Sequence, residues 1–148
     1  IPFTVITKHI KKNQFKHKNV TLLSGSWGNK DISDDVLRNY YNKSRLVIIP
    51  LKNSMQPSGQ SVALQSMAMR APVMISKTDG FWDIDNFANE ENIIFLKNNS
   101  LENWIYEIET KYKNNLLLSS ISNNAADTIR KNYTSETFNH ELSRILKI

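Results

Sequence analysis

The stretch LVIIPLKNSMQPSGQSVALQSMAMRAPVMIS, residues 46–76, decides the fold that this sequence predicts. It opens with residues 46–51, which are apolar at nearly every position, as in a parallel strand that helices cover on both faces. Good helix formers follow over residues 61–69, and a second apolar run, residues 73–75, comes directly after Pro72. A strand, a helix and a strand in this order predict a parallel β-α-β unit.

The same alternation continues on both sides of this unit. Further strands are predicted at residues 3–6, 20–23 and 92–96. Further helices are predicted to begin at the N-caps Ser33, Ser100 and Ser135. Strands that alternate with helices at these lengths predict an α/β fold with a Rossmann-like, doubly wound parallel sheet, in a single domain over residues 1–148.

The composition narrows the classes of function. With 40% hydrophobic and 22% charged residues, the 148-residue chain has the composition of a globular protein, and it holds no apolar run long enough to span a membrane. Disulfides and cysteine-ligated metals are excluded because there is no cysteine, and the three histidines show no metal-ligand spacing. The net charge of +5 favours anionic partners in general, and nucleic-acid binding would rest on that charge alone, so no nucleic-acid partner is expected.

The loop at residues 52–60 is the most informative candidate site. Ligands of open α/β sheets bind beyond the carboxyl ends of the strands, and this loop leads from what we expect to be the most buried strand into a helix. Gly59 allows close backbone approach, and the free N–H groups of the helix suit a phosphate. A bulky residue at position 59 is then expected to block the site without unfolding the domain. The alternative is that Ser58 or Ser61 caps the helix and Gly59 only turns.

Residues 46–76 also resemble the signature stretch of retaining glycosyltransferases with the GT-B fold, of the glycosyl transferases group 1 type. In that family the helix reads E-A-M-A-x-G-x-P-V, and residues 65–73 here read QSMAMRAPV. The resemblance covers nearly the whole chain and implies the C-terminal, nucleotide-sugar-binding domain. It implies hexosyl-type transfer from a nucleotide diphosphate sugar to an acceptor hydroxyl, with no metal and no cofactor.

The resemblance also implies which residues meet the donor. The family's two glutamates, eight residues apart, correspond here to Pro57 and Gln65, and Gln65 can still hydrogen-bond ribose hydroxyls. No catalytic residue is assigned, and residues 80–83 are expected near the rim of the site, with Trp82 and Asp83 more suited to packing and turn capping. The expected substrate-binding residues are Gln56, Ser58, Gly59, Gln60, Ser61 and Gln65, and the expected nucleotide base loop holds Gly25, Ser26 and Trp27.

The beginning of the chain departs from the family pattern. The family's first strand lies in the middle of the sheet and carries an arginine and a lysine for the diphosphate, whereas residues 3–6 correspond to its second strand. We therefore expect a fragment without that strand and without the N-terminal acceptor domain, inactive in isolation. The expected partners are the nucleotide sugar, that domain, and a membrane-surface lipid or polysaccharide acceptor. The expected location is cytoplasmic, with a peripheral position at the inner face of the membrane as an option.

Two other functions compete with this one. Residues 59–63, GQSVA, approximate the nucleophile elbow of serine hydrolases, with Asp127 and His140 downstream in the right order. That interpretation is disfavoured because Ser61 lies too far beyond the preceding strand. A non-catalytic nucleotide-binding or interaction module of the same fold is the stronger rival, since both family glutamates are replaced.

Overall fold

The computed structural model describes residues 1–7, 10, 17–25 and 32–147. The strands in these residues are β1 (Phe3–Thr7), β2 (Val20–Ser24), β3 (Val47–Ile49), β4 (Val73–Ser76) and β5 (Ile94–Leu96). The α-helices are α1 (Asp34–Lys43), α2 (Gln60–Ala68), α3 (Leu101–Lys113), α4 (Asn115–Asn132) and α5 (Ser135–Leu146), with a short 3₁₀ helix at Ile84–Asn86. The chain contacts form two compact units, Ile1–Tyr40 and Tyr41–Ile148, and the single-domain organisation stays a prediction.

The first unit is built on a parallel pair of strands. β1 and β2 pair in register from Phe3 opposite Val20 to Thr7 opposite Ser24, so both predicted strands are confirmed and each is one residue longer. α1 begins directly after the predicted cap Ser33. The Oγ atom of Ser33 accepts from the Val36 amide at 3.4 Å, which is longer than an ordinary hydrogen bond and makes this a weak cap.

The second unit is built on three parallel strands in the order β3-β4-β5. Val47 pairs with Val73 and Met74 pairs with Ile94, so the predicted β-α-β unit is confirmed. The expectation that residues 46–51 form the most buried strand was wrong, because all four residues of β4 are buried and only Ile49 of β3 is. Within this three-stranded sheet β4 pairs with a strand on each side, whereas β3 pairs with β4 on one side.

Both faces of this sheet are covered, as predicted for a doubly wound fold. Alternate residues of a strand point to opposite faces, so Ile75 joins one core with Met67 of α2, and Met74 joins the other with Trp104 of α3. The residues that α2 buries are Ala63, Ser66 and Met67. Val62 and Leu64 are half-buried and pack against the same core, whereas Ala68 is exposed.

The helices α3 and α5 each begin after a residue whose side chain accepts from one of their first amides. Ser100 caps α3 as predicted, with its Oγ accepting from the Asn103 amide at 3.2 Å. The cap of α5 is Thr134, whose side chain accepts from the Thr137 amide at 3.1 Å, so the prediction of Ser135 was wrong by one residue. Among the described residues, no helix is both long and apolar enough to cross a membrane.

Candidate functional site

The N-terminus of α2 lies at the carboxyl end of β3 and presents unpaired amides. Gly59 is the N-cap, with a left-handed backbone (φ 73°, ψ −2°) and no side-chain cap. The first bond of the helix runs from the Ala63 amide to the Gly59 carbonyl at 2.9 Å. No described residue accepts from the amides of Gln60, Ser61 or Val62. Three donors therefore remain free at the positive end of the helix dipole.

Gly59 is required by its surroundings as well as by its backbone. A Cβ atom added there would lie 3.0 Å from Cγ2 of Ile49, 3.2 Å from Cδ1 of Ile75 and 3.3 Å from Cδ1 of Leu51. These side chains belong to the core beneath the sheet, so a larger residue would push into the core. This packing indicates that a bulky residue at position 59 would destabilise the domain, contrary to the expectation from the sequence. Capping by Ser58 or Ser61 was wrong too, since Gly59 holds the cap position without any side-chain bond.

Two of the predicted ligand residues share one face of α2. Ser61 and Gln65 are four residues apart, which places their side chains one above the other on a helix. Both are exposed, and no described residue hydrogen-bonds the Gln65 carboxamide. Gln56, Ser58 and Gln60 are exposed in the adjoining loop and first turn. The structure thus brings the predicted donor residues to one end of α2, and their roles stay predictions.

The predicted base loop is only partly described. Gly25 follows β2 directly, and Ser26 and Trp27 lie outside the described residues. The contact of this loop with a nucleotide base therefore stays a prediction.

A second loop, residues 77–83, is fastened to the loop that precedes α2. The Gly80 amide donates to the Ser54 carbonyl at 2.8 Å. Asn53 and Asp79 form two hydrogen bonds with each other. Asn53 Nδ2 donates to Asp79 Oδ2 at 2.8 Å, and the Asp79 backbone amide donates to Asn53 Oδ1 at 3.0 Å. A Cβ atom added to Gly80 would lie 2.2 Å from the Met55 carbonyl oxygen, so only glycine permits this approach. The two loops are held together as one surface.

The packing role expected for Trp82 is confirmed, whereas Asp83 stands at the N-cap of the 3₁₀ helix without a side-chain cap bond. Trp82 is 8% exposed and stacks on Phe81 with ring centroids 4.1 Å apart. Its indole N–H is enclosed without a hydrogen-bond partner among the described residues. Asp83 accepts from Asn86 Nδ2 at 2.7 Å and from the Tyr133 hydroxyl, which fixes the turn before the 3₁₀ helix.

The contact between Tyr133 and Asp83 predicts a pH dependence of stability. Burial, followed by the hydrogen bond to the Asp83 carboxylate, raises the pKa of Tyr133 above its ordinary value of 10.0. A raised pKa means that folding favours the neutral phenol, so this contribution is complete below pH 10.0 and is lost as the pH rises toward the folded-state pKa. We expect the free energy of unfolding, from urea titrations at successive pH values, to fall above pH 10.0. Tyr133→Phe should flatten that fall, and an unchanged slope would contradict the assignment.

The residues of a serine hydrolase are not assembled. Ser61 makes no hydrogen bond to Asp127 or His140. Asp127 instead pairs with Arg130 at 2.6 Å, and His140 Nδ1 lies 3.6 Å from a carboxylate oxygen of Glu141. No group of three or more histidine, aspartate or glutamate residues in the described part of the chain could hold a metal ion.

A polar cavity of about 210 Å³ lies at the carboxyl ends of β3, β4 and β5. The sequence indicated the loops at residues 52–60 and 77–83, which contribute to its lining, but not a cavity separate from the predicted donor residues. Asn99 forms its floor by accepting from Ser76 Oγ (2.9 Å) and Trp104 Nε1 (2.7 Å) and donating to the Leu51 carbonyl (2.6 Å). None of the predicted donor residues lines it. The available signal was the polar residues that follow the predicted strands, Ser76 among them. Their convergence depends on the sheet order.

The fold built from these elements is the Rossmann-like fold of GT-B C-terminal domains, so the predicted fold class is confirmed. The chain is similar to the C-terminal domain of the glycosyl transferase group 1 family protein LpcC from Francisella tularensis, with a TM-score of 0.61 and 18% identity over 80% of this chain and 55% of that one. It is also similar to a glycosyltransferase from Rickettsia africae ESF-5, with a TM-score of 0.63 and 19% identity over 88% of this chain and 33% of that one.

The chain therefore spans about half of the length of the first of these structures and about a third of the length of the second. No protein-family model and no curated protein matches the sequence.

Proposed function

We infer that this chain is the donor-binding domain of a glycosyltransferase. In this proposal it binds a nucleotide diphosphate sugar and supports transfer of a hexosyl group, with retention, to an acceptor hydroxyl. The observation that carries the proposal is the uncapped start of α2, where the amides of Gln60, Ser61 and Val62 are free at the carboxyl end of a parallel strand. The fold shared with two glycosyltransferase structures supports the class.

The free amides suit the charge that develops in such a reaction. When the glycosyl bond breaks, negative charge accumulates on the departing diphosphate, and fixed N–H donors at a helix N-terminus stabilise it without rearranging. Gln65, one turn further along the same face as Ser61, is placed to bond the ribose hydroxyls. A carboxamide makes weaker bonds there than a carboxylate would. This step requires no protein nucleophile and no metal from this domain.

The remaining components are proposals of the same kind. We expect an N-terminal domain to supply the acceptor site. The acceptor would be a membrane-surface lipid or a polysaccharide, and the protein would be cytoplasmic, with or without peripheral attachment to the inner face of the membrane.

Turnover of sugar nucleotides by the full-length protein tests the proposal. Uridine, guanosine and adenosine diphosphate sugars are incubated with the protein, and released nucleoside diphosphate is measured. Release with one of them supports the enzyme. Saturable binding without release would favour the non-catalytic nucleotide-binding module. The replacement of both family glutamates, by Pro57 and Gln65, points to the same alternative. Absence of both binding and release would overturn the assignment.

Replacing Gln65 by alanine should weaken binding of the nucleoside diphosphate. Loss of one or two neutral hydrogen bonds corresponds to about 1–2 kcal/mol, or roughly a 5- to 30-fold rise in the dissociation constant by calorimetry. Asn139→Ala is the matched control, since Asn139 is also an exposed amide on a helix. Gln65→Glu should tighten binding instead, because a carboxylate makes stronger hydrogen bonds to ribose. Unchanged affinity in both Gln65 variants would remove the ribose role.

A further inference from the structure

We propose that the cavity at the carboxyl ends of β3, β4 and β5 is a second anion site, which binds a phosphate or carboxylate group. It is lined by residues from the ends of all three strands and by none of the donor residues proposed above. Its volume of about 210 Å³ is below the roughly 300 Å³ at which pockets for drug-sized ligands begin. The ligand is therefore compact.

Two lysines give the cavity its positive charge. Lys77 follows β4 and Lys97 follows β5, and both line the cavity. The ion pairs among the described residues involve other cations, so neither ammonium group is neutralised by a carboxylate. Lys77 Nζ lies 5.5 Å from the centre of the Phe95 ring, which is not part of the cavity lining. The acidic residue in the lining, Asp79, is held by Asn53, so one positive charge is left in excess.

Thr78 adds a hydroxyl donor. It lines the cavity, it is 7% exposed, and no described residue hydrogen-bonds its hydroxyl. The hydroxyl is not among the fully enclosed polar atoms, so both solvent and a molecule in the cavity can reach it. An oxyanion in the cavity would accept a hydrogen bond from it in place of water.

The floor of the cavity is already fixed. Asn99 ties Leu51, Ser76 and Trp104 together, because its side-chain oxygen accepts from Ser76 and Trp104 and its side-chain nitrogen donates to the Leu51 carbonyl. One N–H of this carboxamide is not used in these bonds. The other donors in the lining include Lys77, Lys97 and Thr78. They come from neighbouring strand ends on a rigid base, which lowers the entropic cost of binding a small anion.

Titration of the full-length protein with inorganic phosphate, glucose 1-phosphate and acetate at constant ionic strength tests this site. Calorimetry should show saturable binding of at least one of these three anions. The anion that binds most tightly identifies whether the ligand is a free anion or a phosphate carried by a sugar. Lys77→Met and Lys97→Met should each weaken it about tenfold or more, because hydrogen bonds to charged groups are the stronger ones. Lys131→Met, which removes an exposed lysine of α4, should leave it unchanged. Thr78→Val should weaken it more modestly, with the unfolding temperature as a check on folding.

The outcomes separate this site from the proposed donor site. No saturable binding of any of the three anions, or equal losses in Lys77→Met and Lys131→Met, would overturn the cavity site. Phosphate binding that uridine diphosphate abolishes and the lysine variants leave intact would place the anion at α2 and overturn it as well. Failure of nucleoside diphosphates to bind, with the lysine effects present, would overturn the donor proposal and leave the cavity site standing.

Discussion

Replacing Gly80 by alanine is expected to lower the free energy of unfolding by about 2–4 kcal/mol. The added Cβ would lie 2.2 Å from the Met55 carbonyl oxygen, which is backbone and has no rotamer to move away. Overpacking of this kind costs about 1–3 kcal/mol, and separating the loops also breaks the bond from the Gly80 amide to the Ser54 carbonyl, worth about 1 kcal/mol. Urea unfolding of the purified variant measures the sum.

The control for Gly80→Ala adds one methyl group to an exposed residue of the facing loop. Ser58→Thr does this, and its effect should stay within about 0.5 kcal/mol, as for surface substitutions in general. A Gly80→Ala variant as stable as Ser58→Thr would show that residues 52–59 and 77–83 are not in backbone contact. In that case the surface formed by the two loops, and the cavity beside it, would have to be described differently.

The strands and helices were largely predictable because each has its own periodicity. Residues 73–75 and 93–96 are short apolar runs that polar residues follow, and Ser100 precedes an amphipathic helix. Relative burial was not predictable in the same way. β3 and β4 are both continuous apolar runs, and only the sheet order decides which of them has neighbours on both sides.

The polar contacts that fix the loops were not predictable, because they join residues far apart in the chain. Asparagine is frequent in this sequence without any local pattern that explains it. In the structure Asn99 bonds Leu51, 48 residues away, and Asn53 bonds Asp79, 26 residues away. Asn124 donates from its side-chain nitrogen to the Glu91 carbonyl, 33 residues away, at 2.9 Å. These side chains complete backbone hydrogen bonds in loops, a role that only the assembled fold reveals.

The location of the candidate site was predictable from the sequence, but the residue that caps α2 and the packing around it were not. A glycine-containing loop between a buried strand and a helix indicated where free amides would lie. Whether Ser58, Gly59 or Ser61 is the cap depends on the backbone conformation, and the left-handed φ of 73° settles it at Gly59. The direction of the missing Cβ, toward Ile49 and Ile75, follows from that conformation and has no signal in the sequence.

Replacing Gly59 by leucine is expected to lower the free energy of unfolding by about 2–5 kcal/mol. A left-handed backbone costs a residue with a Cβ roughly 1–2 kcal/mol, and forcing a side chain against Ile49, Leu51 and Ile75 adds about 1–3 kcal/mol.

Ser58→Leu adds the same side chain to the exposed neighbour and should change stability by no more than about 0.5 kcal/mol. Urea unfolding compares the two variants, and nucleoside diphosphate binding is measured on each while it is folded. Because the Cβ points into the core and not toward the free amides of α2, the main loss should be in stability. A Gly59→Leu protein as stable as wild type that no longer binds the nucleotide would place position 59 in the ligand site itself.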